Sequence, residues 1–332
     1  MKVSVVVPVY RVEPYIRRCF ASILVQTYTK IECIFIDDGS PDNCYSILKN
    51  LIADYCGPIE FKLIKHEKNM GLSVARNTGT LAASGDYIFY LDSDDEISVN
   101  CIHDLVELAL KYPGVDIVQG NTKTVPLQSN DWRDIRLKQF PEYVDDQKWI
   151  VNHCFSNPKI PVNSWNKLIC KKFILDNNLY FYENIIHEDE LWMFYVSRNL
   201  ARISFTGKFT YIHYINADSI MQSSNNYKKI YSFYKIVEHL IGAGTDQLSG
   251  LERQYILKSL RSNMIKVNVA SNEIELVSLY RNLAKKIFVL SLRKFLIFDS
   301  LAVGIFLLPR FFYCSYFGKK LSKNIIKVVP FF

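Results

Sequence analysis

The sequence predicts an α/β protein: an open, mostly parallel sheet flanked by helices, followed by a helical C-terminal extension. Three observations carry this prediction. Short β-branched apolar runs alternate with segments whose apolar residues recur at three- and four-residue spacing. Acidic residues directly follow two of those runs, where strands of such a sheet pass into loops. Beyond Asn225 only helical spacing remains, with Lys and Arg interspersed.

Taken in chain order, Val3 to Val9 (VSVVVPV) is continuously apolar, as suits a strand buried on both faces of a parallel sheet. A helix follows, with Pro14 in its first turn and Ile16, Phe20, Ile23 and Leu24 on one face. The second strand, Ile31 to Ile36, ends on Asp37, Asp38 and Gly39. The alternation repeats with a helix near Asn43 to Tyr55, a strand near Phe61 to Lys65 and a helix near Leu72 to Ala83. A strand from Tyr87 to Leu91, a helix near Cys101 to Tyr112 and a strand near Asp116 to Gly120 complete the set. Right-handed crossovers between such strands place ligand-binding groups beyond the carboxyl ends. Asp37 and Asp38 on one strand, and Asp92 and Asp94 on another, therefore face one crevice.

From Val125 to Tyr143 the pattern dissolves into polar, Pro-broken sequence for which no fold is predicted. A second ordered stretch begins with PVNSWNK at 161–167 and continues through Leu168 to Leu175 as a strand or helix end. It reaches HEDELW at 187–192. Ile256, Leu260, Met264 and Val267 mark helical packing further on. The expected organisation is 1–125, 126–224 and 225–332, in a chain whose 332 residues suffice for about two domains.

Composition removes several classes. With 49% hydrophobic residues, 13 Gly and 11 Pro, the chain is neither disordered nor fibrous. Its eight cysteines form no CxxC pair and no Cys/His zinc spacing, so a reducing, cytoplasmic setting is expected. The net charge of +7 is unevenly placed, because residues 251–332 hold 14 Lys/Arg against 4 Asp/Glu, a local +10. Those bases flank Phe295 to Phe317, an apolar stretch that Asp299, Gly304, Pro309 and Arg310 interrupt. An interfacial helix on anionic lipid fits better than a spanning one, and a helical subdomain or dimer face fits the same pattern. The aromatics sit in apolar blocks rather than along a basic groove, which argues against a nucleic-acid partner.

The segment LDSDDE at 91–96 places Asp92, Asp94, Asp95 and Glu96 together at a strand end. A hard divalent cation, Mn²⁺ or Mg²⁺, completed by substrate phosphates would relieve their repulsion. A solvated acidic turn at the next helix N-terminus would need no metal. Asn69 to Gly79 (NMGLSVARNTG) brings a glycine-bearing backbone and Arg76 to another loop-to-helix junction. That set suits a diphosphate, or an ion pair between Arg76 and an aspartate. Neither a Walker loop nor a GxGxxG fingerprint occurs, which weighs against ATPase and dehydrogenase chemistry.

VSVVVPVY at 3–10, IDDGSPDN at 36–43, NMGLSVARNTG at 69–79 and YLDSDD at 90–95 together resemble family 2 glycosyltransferases of the GT-A fold. The likeness is specific through about residue 125 and looser to about residue 222. It implies a Rossmann-like sheet and transfer of a sugar, with inversion, from a nucleotide-diphosphate sugar such as a UDP-sugar. The acceptor would be a hydroxyl of a glycan or lipid-linked precursor of surface polysaccharide, on the inner face of a bacterial membrane. The resemblance assigns Pro8 and Val9 to the wall of the base pocket and Asp38 to the base. It gives Arg76, Asp92 and Ser93 to the donor nucleotide, and Asp94 with Asp92 to the metal.

In that family an Asp within an ED pair deprotonates the acceptor hydroxyl, which implies Asp189 as the general base. Trp165, Asn166 and Glu188 would line the acceptor or sugar site, with His187 and His213 outside the expected core. Taken alone, HEDE equally suits an acidic first helical turn. Two rival readings are a sugar-nucleotide nucleotidyltransferase and a non-catalytic nucleotide-sugar scaffold. The first needs a Gly-rich basic loop after the first strand, where Val9-Tyr10-Arg11-Val12 has no glycine. The second would not need both carboxylate pairs.

Overall fold

The computed structural model describes residues 1–125, 134–156, 159–215, 226–242, 249–269, 274–293 and 297–304, together with residues 307 and 323. The chain divides into two compact units. The first comprises Met1–Cys154, Ile160–Asn184 and Glu188–Ser223, and the second Phe155–Lys159, Ile185–His187 and Ser224–Phe332.

The first unit is built on one sheet. Its N-terminal elements are β1 (Val3–Val9), α1 (Ile16–Leu24), β2 (Ile31–Asp37), α2 (Cys44–Ala53), β3 (Glu60–Lys65), α3 (Leu72–Ala82) and β4 (Tyr87–Tyr90). The strand β5 (Glu96–Ile97), helix α4 (Cys101–Lys111), strands β6 (Ile117–Val125) and β7 (Tyr143–Val144) and helix α5 (Gln147–Phe155) follow. Then come β8 (Lys167–Cys170), α6 (Lys171–Asp176), α7 (Glu188–Asn199) and β9 (Ile203–Tyr214). The strand order is β3-β2-β1-β4-β8-β6-β9-β5, with β7 on β9. Strands β1 to β4 pair in parallel, as do β6 and β9. Strand β8 runs antiparallel between β4 and β6, and β5 and β7 run antiparallel to β9.

The sheet is mostly parallel, as expected, and the short antiparallel strands β5 and β7 were not predicted. The strand expected after α4 is not β4's neighbour, because β8 inserts between them. Strand β9 was not predicted, since ISFTGKFTYIHY mixes Gly and Lys into its apolar residues and pairs with β6 through register shifts around Asn121.

Burial explains the N-terminal half. Every β1 and β2 residue is buried, so the apolar runs lie between helix layers. Phe20 of α1 stacks on Phe35 at 5.8 Å and on Phe61 at 5.0 Å, locking α1 across β2 and β3. A Cβ at Gly79 would lie 2.3 Å from Val6 Cγ1, so α3 approaches β1 this closely only because that position lacks a side chain. Glu32 ties the sheet together. Its buried carboxylate accepts from Lys62 Nζ at 2.9 Å, the Ser84 hydroxyl at 2.8 Å and the Gly85 N–H at 3.0 Å, and from the Ser4 hydroxyl. Burial opposes its ionisation, yet the Ser4, Lys62 and Ser84 contacts hold its pKa at about 2.

The second unit is helical, with α8 (Asn226–Gly242), α9 (Gly250–Val269), α10 (Ile274–Arg293) and α11 (Ile297–Gly304). Val237, Leu240, Leu257, Leu260, Leu283 and Val303 are buried. The Tyr280 hydroxyl donates to the Ile230 carbonyl at 2.8 Å, and Arg253 pairs with buried Asp299 at 3.0 Å. No helix among the described residues is long and apolar enough to cross a membrane. Most of the expected interfacial stretch, with Lys294, Arg310, Lys319, Lys320 and Lys327, lies outside the described residues, as do 126–133 of the polar excursion.

Candidate functional site

The carboxyl ends of β1, β2 and β4 build the site. Pro8 and Val9 are buried in β1, paired with Ile36 and Asp37. The Asp38 N–H donates to the Val9 carbonyl at 2.9 Å, which turns its side chain toward residues 66–71. There the carboxylate accepts from the Met70 N–H at 2.9 Å and the Gly71 N–H at 2.8 Å, and His66 Nδ1 lies 2.7 Å from Oδ1. His66 Nε2 in turn meets the Thr78 hydroxyl at 3.0 Å, so the ring bridges Asp38 to α3. Gly39, at φ +63, lies so close to the Lys68 backbone that a Cβ would be 2.6 Å away.

This packing corrects the expectation for the helix junction. The Met70 and Gly71 amides, expected to meet phosphate, are taken by Asp38. Arg76, expected at the diphosphate, is only 1% exposed and turned inward. Its Nη2 donates to Asp92 Oδ1 at 2.9 Å, while Nη1 donates to Glu188 Oε1 at 2.8 Å and Asp189 Oδ1 at 3.3 Å. The ion-pair alternative is the one realised.

The acidic turn after β4 divides by burial. Asp95 is buried, with the Tyr211 hydroxyl donating to Oδ2 at 2.9 Å and the Tyr214 N–H to Oδ1 at 2.8 Å. Burial, with the charges of Asp94 and Asp92, pushes its pKa well up. The Tyr211 hydroxyl also accepts from the Asp92 N–H at 3.2 Å, and Arg18 Nη2 donates to the Asp94 carbonyl at 2.7 Å. Ser93 is buried, while Asp92, Asp94 and Glu96 remain partly exposed.

The acceptor-side residues sort differently from expectation. Trp165 is half-buried and stacks on Tyr211 at 4.6 Å and on His213 at 5.5 Å. Asn166 is fully buried at φ 58, and its amide donates to the Gly120 and Asn121 carbonyls and the Thr122 hydroxyl while accepting from Thr210. That corrects its expected sugar-lining role: the side chain is spent on stitching β8 to the irregular part of β6.

Asp189 opens α7 beside Glu188. Burial raises its pKa; Arg76 opposes that, Asp92 adds to it, and Ser164 and Lys167 pull it down. Glu188 is more deeply buried and is also raised, by burial and by repulsion from Asp189.

Two residues that the sequence left outside the expected core lie close to these carboxylates. Lys167 is fully buried, donates to the Pro161 and Asn163 carbonyls, and is pushed by burial down to about 7, with the Asp189 charge opposing. His213 has its proton affinity lowered by burial while Asp92 and Asp94 raise it, so it stands near both carboxylates. The signal for His213 was its position two residues beyond Tyr211, on the same face of a strand. The motif at 161–167 marked Lys167 only as a neighbour of Trp165 and Asn166, and its burial depends on the fold.

Comparison with known proteins agrees with this geometry. Residues 4–163 match the family described as Glycosyl transferase family 2. The uncharacterized glycosyltransferase YibD of Escherichia coli K12 is 28% identical over 222 residues, covering 66% of this chain and 63% of YibD. The uncharacterized glycosyltransferase EpsJ of Bacillus subtilis is 43% identical over 107 residues, 32% of this chain and 30% of EpsJ. The cholesterol galactosyltransferase of Borreliella burgdorferi is 29% identical over 230 residues, 67% of this chain and 62% of that protein. The chain thus spans less than two thirds of the length of these relatives. Among solved structures, S. aureus TarS 1–349 in complex with UDP-GlcNAc superposes with a TM-score of 0.62 at 20% identity, covering 91% of this chain and 90% of that one. At that identity the likeness is one of fold. Sheet order, acidic turns and family match converge, and through its residues 4–163 the chain belongs to glycosyl transferase family 2, on the GT-A fold.

Proposed function

We propose that the protein is a metal-dependent, inverting glycosyltransferase that moves a sugar from a UDP-sugar to a hydroxyl of a glycan or lipid-linked acceptor. One observation carries the reading: Asp92 at the β4 end and Asp189 at the start of α7 are held by the same guanidinium, so a donor-side carboxylate and a candidate base share one small site. TarS, bound to UDP-GlcNAc in its crystal, supports the choice of donor class.

The residues present fit Mn²⁺ or Mg²⁺. Asp92 and Asp94 are hard, partly exposed oxygen donors with His213 near. Two carboxylates would leave the remaining positions of such an ion to water and diphosphate oxygens. Such an ion would neutralise charge on the leaving diphosphate. The chain's own residues do the rest. Asp189 accepts the proton of the acceptor hydroxyl as that oxygen attacks the anomeric carbon from the face opposite the diphosphate. Burial makes it a stronger base than a solvated aspartate. Trp165 supplies a partly exposed aromatic surface beside His213 on which a sugar ring can rest.

The test is hydrolysis of UDP-, GDP- and dTDP-sugars with Mn²⁺ and with EDTA. Turnover of a UDP-sugar that EDTA abolishes supports the reading. Nucleotide binding without turnover of any donor, with acceptors supplied, would favour the scaffold alternative.

A further inference from the structure

We propose that Arg76 is a positioning residue, a buried guanidinium that holds the donor-side carboxylate Asp92 and the base Asp189 at a fixed spacing. The inference rests on the reading of Asp189 as the base. Arg76 projects from α3 and meets side chains from the β4 end and from α7, so one planar group spans three elements. Both Nη atoms are on carboxylates, and that orientation leaves Nε buried without a hydrogen-bond partner among the described residues.

The charge count points the same way. One guanidinium faces three carboxylates, and with Lys167 near Asp189 as a second basic group the carboxylates still outnumber the bases. A closed structural ion pair would balance. The excess matches a site whose remaining positive charge arrives with its ligand.

The packing fixes Arg76 in place. Its guanidinium lies 5.2 Å from the centre of the Phe181 ring, and the neighbouring Asn77 side chain donates to the Phe181 carbonyl and accepts from its N–H, each at 2.9 Å. The Thr80 hydroxyl donates to the Arg76 carbonyl at 2.8 Å and meets the Tyr90 hydroxyl at 2.7 Å. A side chain held this way orients its carboxylates and does not swing out to a phosphate. Lysine cannot take its place, because a single ammonium lacks the planar fork that spans separate carboxylates.

The experiment compares wild type, Arg76→Lys, Asp189→Asn and the double variant in UDP-sugar hydrolysis, with UDP affinity by calorimetry and folding by circular dichroism. Arg76→Lys is expected to fold, to bind UDP in EDTA within about threefold of wild type, and to lose about 10²-fold in kcat in Mn²⁺, as displacement of a reacting group does. Because Arg76 acts through Asp189, the double variant is expected to be no slower than Asp189→Asn alone. Losses that multiply in the double variant, or an Arg76→Lys enzyme with wild-type kcat, would overturn the inference. If Asp189→Asn itself retains wild-type kcat, the reading of the base fails and the inference with it. Should Arg76→Lys not fold, Glu188→Gln is the substitute: freed from its 2.8 Å partner, Arg76 shifts, and kcat falls at unchanged UDP affinity. Unchanged kcat in that variant would also overturn the inference.

Discussion

Asp189 is one of three carboxylates on a single guanidinium, and its removal is cleaner than its position suggests. Glu188 continues to hold Arg76 Nη1 at 2.8 Å and Asp92 holds Nη2, so the rest of the constellation has reason to persist. Asp189→Asn should therefore bind UDP nearly as wild type while turnover falls by about 10² to 10⁴, the range for loss of a general base. Calorimetry beside single-turnover hydrolysis checks both halves, and loss of UDP binding would reject the role. Asp94 makes the complementary case on the donor side. Asp94→Ala should weaken UDP binding in Mn²⁺ and leave it equal to wild type in EDTA; an affinity that does not respond to metal in either protein would remove the ion from the mechanism.

Among the elements, β2 bears the most consequential fold-holding residue. Glu32 joins β1, β3 and the turn ahead of β4 from a fully buried position. Glu32→Gln should cost about 3 kcal/mol, the scale of breaking a buried ion pair by removing one partner. The sign with pH follows from a folded-state pKa of about 2, below the usual carboxylate value. The contribution is fully present above the unfolded-state pKa and is lost as pH falls toward 2. Urea unfolding of both proteins from pH 7 downward should show the gap constant to about pH 5 and narrowing below it; a gap that widens in acid would contradict the assignment. The polar element β8 to α6 acts differently, since Asn166 and Lys167 spend their side chains on neighbouring carbonyls to shape the loop that carries Trp165.

For the whole molecule, the question is what the basic C-terminal region does. A cut before Arg281 would pass through α10, where Tyr280, Leu283 and Ala284 are buried, and would damage the second unit. A cut after Gly304 is the better one. It keeps α11 and the Arg253–Asp299 pair and removes residues 305–332, which hold Arg310, Lys319, Lys320, Lys323 and Lys327 and no acidic residue. We infer peripheral attachment to anionic lipid through this segment, at about 1 kcal/mol per well-placed base, screened by salt. Full-length protein should float with anionic vesicles at low salt and less at high salt, while the shortened chain stays below and keeps donor hydrolysis. Full-length protein that never floats would leave the segment as a packing or dimer element.

Apart from the short strand β5, the strands and helices from Val3 to Lys111, and the acidic turns at strand ends, were legible because their cause is local: continuous β-branched runs, helical apolar spacing and turn residues are written in adjacent positions. The family could be recognised from the first strand, the acidic turns and the Asn69–Gly79 segment together. The insertion of β8 between β4 and β6, and the strand β9, were not legible, because pairing joins segments far apart and a polar, bulged strand carries little periodicity. The same holds for the site. Asp92, Asp94 and Asp189 stood out as residue types in suggestive company, but only the tertiary structure decided that Arg76 would face all of Asp92, Glu188 and Asp189, that Asp38 would take the Met70 and Gly71 amides, and that Asn166 would be consumed inside the sheet. A side chain's type states which bonds it can make. Which bonds it does make depends on the groups that folding buries beside it, and those arrive from other parts of the chain.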